Sequence, residues 1–93
     1  MNLRFFVDPL TDVPHIHGHN VTEAEVDEVL ERPLEDRPGH DDSRVAVGQT
    51  RAGRYLRVVY VPDPIPNSVF VITAFDLGPN SKRALRRRRK RKQ

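Results

Sequence analysis

Two groups of side chains in this chain have the types and spacing for chemistry on a phosphate. The first is Arg44, Arg51, Arg54 and Arg57. A guanidinium offers parallel N–H donors that clamp a phosphate, and its charge can stabilise the negative charge that builds there during transesterification. Arg57 stands at strand spacing from Tyr55 and Val59 and shares their face, while Arg54, at the strand's start, leans to the other side. The competing role is structural, because strand arginines also run across a sheet and pair with carboxylates, which this chain supplies upstream. Both roles stay open for Arg54 and Arg57; Arg51, in a turn, is read as structural. The second group is His15, His17 and His19, which on an extended segment would project from one face as three imidazole ligands do. Gly18 loosens that segment and no cysteine accompanies it, so no metal or other cofactor is expected. An imidazole beside a basic sheet could instead take the proton of a ribose 2′-OH near neutral pH. His40, in an acidic loop, is read as an exposed bystander.

A third feature is charge alone. From Lys82 to Lys92, 9 of 11 residues are basic: Lys82, Arg83, Arg86, Arg87, Arg88, Arg89, Lys90, Arg91 and Lys92. Its functional reading is phosphate contact with counterion release, and the alternative is a solvated tail. The formal net charge of +3 hides an asymmetry: residues 1–42 hold 3 basic and 11 acidic side chains, whereas 43–93 hold 13 and 2, or −8 against +11. That distribution suggests a polyanion partner for the second half.

The elements that must position these groups are short. Ser43–Thr50 and Arg54–Val61 are β-rich runs around Arg51, Ala52 and Gly53, a spacing that fits a hairpin with Gly53 at positive φ. Ser68–Phe75 is apolar at both parities and belongs in the sheet interior. These three runs form an antiparallel meander. Leu3–Val7 adds an edge strand, Leu10–Asn20 reads as loop or extended segment, and Pro33–Asp42 as a polar surface connector. Thr22 to Glu25 has the pattern of a capping box, and Val26, Val29 and Leu30 form one apolar stripe of an acidic helix that stops before Pro33. The proline-rich segment 62–66 should be stiff and extended.

At 93 residues the chain has room for one core. The fold class expected is α+β: a small antiparallel sheet of about four strands, the acidic helix packed on it, and a basic C-terminal helix. Residues 1–80 are taken as a single domain and 81–93 as the basic helix or tail. The absence of cysteine, of a long apolar run and of a signal-peptide pattern leads to the expectation of a soluble cytoplasmic protein with no membrane partner.

The segments His19–Leu30, Ser43–Thr50, Gly53–Leu56 and Val71–Ala74 together resemble the BrnT-type toxins of type II toxin–antitoxin systems and their close uncharacterised relatives. Those proteins have a His–Gly–Val entry to an acidic helix, an arginine-bearing strand, a hairpin with Gly–Arg or Gly–Lys, and a last strand leading into an arginine-rich helix. The resemblance covers residues 19 to about 90. It implies a RelE/ParE-like fold and a metal-independent endoribonuclease, ribosome-linked or free, held by a cognate DNA-binding antitoxin. Carried over, His19 matches the helix-entry histidine, Arg44 the strand arginine and Arg54 the basic residue after the hairpin glycine, with Arg57 added from the strand pattern. Asn20 stands where the family has glycine, and Phe75 where it has an arginine. The other classes kept open are a non-catalytic RNA- or ribosome-binding module that uses the tail, and a protein-binding partner of another small chain, including a second copy of itself.

Overall fold

The computed structural model describes residues 1–91; Lys92 and Gln93 lie outside the described residues, as does the side chain of Arg91. The elements are β1 (Asn2–Phe5), β2 (Val7–Asp8), β3 (Val13–Pro14), a 3₁₀ helix (His15–His19), α1 (Glu23–Glu31), β4 (Glu35–Pro38), β5 (Arg44–Gln49), β6 (Tyr55–Pro62), β7 (Ser68–Asp76) and α2 (Pro79–Arg91). A five-stranded sheet in the order β1-β7-β6-β5-β4 carries the fold, and β2 and β3 pair separately. The class is α+β, as expected. The β5-β6-β7 meander is antiparallel, Gly53 turns its first hairpin at φ 97°, and β7 lies inside the sheet. No helix among the described residues is long and apolar enough to cross a membrane.

Four local expectations differ from what is found. The proline-rich segment 62–66 is not extended: after Pro62 it bends and turns at Asn67, φ 58°, with the Asp63 amide donating to the Ser68 carbonyl at 2.9 Å. The sheet is mixed, because β1 runs parallel to β7 at one edge. The polar connector contains β4, antiparallel to β5 at the other edge. An edge strand needs only one row of ladder bonds, so Glu35, Asp36, Arg37 and Pro38 are tolerated where an alternating apolar pattern is absent. The segment expected to be loop or extended ends in the 3₁₀ helix, which buries Ile16 and closes at Asn20 with φ 58°.

The capping box of α1 forms as its sequence requires. Thr22 Oγ1 accepts from the Glu25 amide at 3.2 Å, and Glu25 Oε1 accepts from the Thr22 amide at 3.0 Å. Val26, Val29 and Leu30 are buried against one face of the sheet with Ile16, Leu56 and Val58. Gly48 lets the helix approach β5: a Cβ there would lie 3.0 Å from Val29 Cγ1. The ladder between β6 and β7 shifts register after Val59↔Thr73 to Tyr60↔Val71, leaving Ile72 as the extra residue. The bulge puts both Val71 and Ala74 on the α1 side. The double parity of the apolar run therefore reflects the bulge together with a second face that is only half covered.

That second face receives α2. Leu85 is buried there with Val47 and Leu77, beside Leu34 and Tyr55. The helix is also pinned to the β4 edge, where Arg88 donates to Glu35 at 2.7 and 2.9 Å and Arg37 adds a contact at 2.6 Å.

Two measurements test this packing. Gly48→Val forces α1 away from β5, and the expected cost is about 1–3 kcal/mol, read as a lower urea midpoint. Glu35 is held below the ordinary glutamate value, first by its hydrogen bond from Arg88. A lowered folded pKa gives stability that is present above the unfolded value of 4.5 and lost as pH falls through the folded one. Thermal melts of Glu35→Gln across the acid range should therefore show a shallower loss than the wild type, with the difference confined below about pH 5.

Candidate nucleic-acid interface

The sheet sorts the arginines by face. The Cα partners Arg44↔Tyr60 and Gly48↔Leu56 place even-numbered residues of β5 and β6 on the α1 side, and Val47↔Arg57 places Arg57 on the α2 side. On the α1 side the cations are occupied. Arg44 donates from Nε to Asp36 Oδ1 at 2.9 Å and from Nη2 to the Asp36 carbonyl at 3.2 Å, while the Tyr60 hydroxyl donates to Asp36 Oδ2. Burial, then the hydrogen bond to Asp36, pushes the Tyr60 hydroxyl up to about 12.

Arg54 is more thoroughly bound. Nε and Nη2 grip Asp76 at 2.7 and 3.0 Å, Nη1 donates to the Asn20 carbonyl at 2.7 Å and to Glu25 at 3.1 Å, and Nη2 reaches the His19 carbonyl at 3.3 Å. Its pKa rises, first through the hydrogen bond to Asp76. The same contacts hold Asp76 below the usual carboxylate range. A guanidinium has five N–H donors in a fixed fork, and with all three nitrogens engaged by oxygens this one has none left for a phosphate. Arg51 stays in its turn: its amide donates to Glu28 Oε1 at 3.0 Å and its guanidinium is 3.9 Å from Glu31.

On the α2 side Arg57 is half-buried, and its Nε is buried without a hydrogen-bond partner among the described residues, as is Thr73 Oγ1. Its cross-strand neighbours are Val47 and Phe75. The Phe75 ring lies 5.9 Å from the ring of His19, which lies 5.2 Å from His15, itself 6.2 Å from Phe6.

The three histidines do not share a face. A 3₁₀ helix turns about 120° per residue, so alternate positions diverge. His17 Nε2 contacts Glu23 Oε1 at 2.6 Å, holding that carboxyl low, whereas His15 and His19 meet edge to face. Among the described residues no group of three or more His, Asp or Glu is arranged to hold a metal ion.

Most of α2's cations face solvent. Lys82 lies over the Tyr55 ring at 5.9 Å, Arg83 donates to Asn80 at 2.6 Å, Arg88 is taken by Glu35, and Arg89 donates to the Leu34 carbonyl at 3.1 Å. Arg86, Arg87 and Lys90 are exposed and have no ion-pair or hydrogen-bond partner among the described residues. With Arg89, Leu85, Leu34, Gln49 and Tyr55 they line an open groove of about 620 Å³.

The four residues expected to act together are thus divided. Arg44 and Arg54 lie on the α1 side in carboxylate pairs, and Arg57 lies on the other side next to Phe75, which His19 touches from beyond the edge of β7. Asp36 and Asp76 were missed as the partners that occupy Arg44 and Arg54. Asp76 is the last residue of β7, and only the pairing of β6 with β7 shows that it meets Arg54. Tyr55 and Gln49 were missed as groove residues, although strand spacing already put Tyr55 on the face of Arg57.

A family model described as a domain of unknown function (DUF4258) matches residues 16–76, from the 3₁₀ helix to the end of β7. No curated protein and no solved structure matches the chain.

The two kinds of arginine should separate in urea unfolding. Arg54→Gln leaves Glu25 and Asp76 without their cation and is expected to cost roughly 2 kcal/mol. Arg57→Gln removes a buried donor that has no partner, so stability should stay within about 0.5 kcal/mol of the wild type or rise.

Proposed function

The chain belongs to the DUF4258 family, and from its unpaired cations we propose that it is a small RNA-binding protein whose contact surface is α2 and the sheet face beside it. One observation carries this reading: Arg86, Arg87 and Lys90 stand exposed and unpaired on one helix, among the described residues, while Arg44, Arg54 and Arg88 are tied to carboxylates. A cation already paired within the chain releases few counterions on binding a phosphate, whereas a free exposed one releases its full share. The partner is RNA, free or within the ribosome.

A second reading, supported by the BrnT-type resemblance, is RNA cleavage by a toxin that a DNA-binding antitoxin holds inactive. The observation that favours it is the placement of His19 and Arg57 on either side of Phe75. There His19 is the base for a ribose 2′-OH and Arg57 the group that stabilises charge on the phosphate. Arg44 and Arg54 then act on the fold rather than on the substrate.

Binding to a labelled RNA, followed across salt concentrations, tests the first reading. Changing Arg86, Arg87 and Lys90 together to Gln should weaken binding and reduce the slope of log K against log salt by about 2, at roughly 0.7 per lost contact on a single strand. An unchanged slope would remove α2 from the interface. Growth after induced expression tests the second. Toxicity that is present in the wild type and lost in Arg57→Gln, at equal abundance and fold stability, supports cleavage; harmless expression of the wild type removes it.

A further inference from the structure

The rings of Phe6, His15, His19 and Phe75 form a continuous surface row, with centroid steps of 6.2, 5.2 and 5.9 Å. The row is accessible: Phe6 is 40% exposed, the His15 side chain is 40% exposed, and His19 is exposed. None of the three contacts is a parallel stack, since the interplanar angles are 60°, 74° and 57°. Phe6 and His19 therefore keep ring surface that no neighbour covers. Apolar rings are normally left at a surface singly, and four in sequence, two of them imidazoles, are not needed by the core.

The row also leads somewhere. Phe75 pairs across the ladder with Arg57, Arg57 with Val47, and Val47 packs with Leu85 of α2. A line of aromatic rings thus runs into an arginine with an unpartnered buried Nε, on the face of the sheet that α2 covers. Aromatic faces beside a cationic track are what single-stranded nucleic acid requires: bases stack on rings while the backbone follows the charge. A duplex cannot use such a row, because its bases are already stacked and paired.

Charge sets the direction of the backbone. At the Phe6 end, Asp8 lies 3.8 Å from His15 and Glu23 holds His17, so negative charge flanks the row on that side. At the Phe75 end the cross-strand neighbour is Arg57, and the adjacent Asp76 carboxylate is taken by Arg54.

We infer that the Phe6–His15–His19–Phe75 row is a base-stacking platform for single-stranded RNA, whose backbone is held on the Arg57 and α2 side. This rests on the RNA-binding reading above and adds to it the form of the RNA and a second contact surface.

The test compares a labelled oligouridylate of about ten nucleotides with a self-complementary RNA duplex, using fluorescence anisotropy on the full chain. His19→Ala and Phe75→Leu are each expected to weaken single-strand binding about ten-fold, with the salt slope unchanged, because a stacking contact is lost and no phosphate contact is. His19→Trp should restore the affinity, since it replaces one ring with a larger one. Duplex binding through α2 should not change in any of the three. Equal losses on duplex and single strand, or no loss on the single strand, overturn the stacking platform while leaving α2 binding intact. If the wild type binds neither RNA, the platform and the binding reading fall together. Urea midpoints for His19→Ala, an exposed position, separate a lost contact from a lost fold.

Discussion

The guanidinium of Arg54 joins parts of the chain that no strand or helix connects directly. It holds the closing carbonyls of the 3₁₀ helix at His19 and Asn20, the capping carboxylate Glu25 in the first turn of α1, and Asp76 at the end of β7. Asn20, in left-handed backbone, turns the chain from one helix to the next at this point. With the backbone of His19 and the end of β7 fixed to one rigid planar fork, the rings of His19 and Phe75 are brought within 5.9 Å of each other. Arg54 therefore determines the exposed surface while its own donors are turned inward. Lysine would keep the charge but not the geometry, because a single ammonium cannot reach four partners from one plane.

The same contact explains what becomes of the charge asymmetry. The acidic first half and the basic second half meet within one molecule: Asp36 with Arg44, Glu25 with Arg54, Glu35 with Arg88. Arg4 and Asp63 reverse the pattern across β1 and the loop before β7. Each pair is local to an edge or to the α1 side, and Glu35 is the most buried member. What is left over is unevenly distributed. The residual positive charge lies on α2 and at Arg57, on the face that α1 does not cover, so the field of the folded protein is more polar than its net charge of +3 suggests.

How much of this could be read from the sequence depends on how local the cause is. The capping box, the apolar stripe of α1, the Gly53 hairpin and the three central strands rest on interactions within a few residues, and each is visible in spacing. The parallel partner of β1 and the β4 strand rest on contacts made only after the sheet assembles, and an edge strand with one ladder leaves little trace in an alternating pattern. The one-face arrangement of the histidines fails for a similar reason: a period of two holds only if the backbone is extended, and after Pro14 the chain coils. Of the site, the arginines and the basic helix were legible as types. Their division between two faces followed from strand parity for Arg57, but which of them were already paired depended on Asp36 and Asp76, whose partners lie on neighbouring strands.

Arg57 breaks the pattern that the other sheet arginines follow. A buried donor without an acceptor lowers stability, and folded proteins keep few of them. Thr73 Oγ1, next to it in the ladder on the same face, is likewise unpartnered. A core free of function would have resolved the first by an apolar residue at 57, as Val45 and Val59 show at the neighbouring positions of that face. Local rules are most often broken where a ligand completes the site. On the RNA-binding reading, a phosphate over the open face meets the part of the half-buried guanidinium that solvent reaches, beside a ring that takes the base. The position that costs the free protein stability is then the one that gives the bound state its geometry.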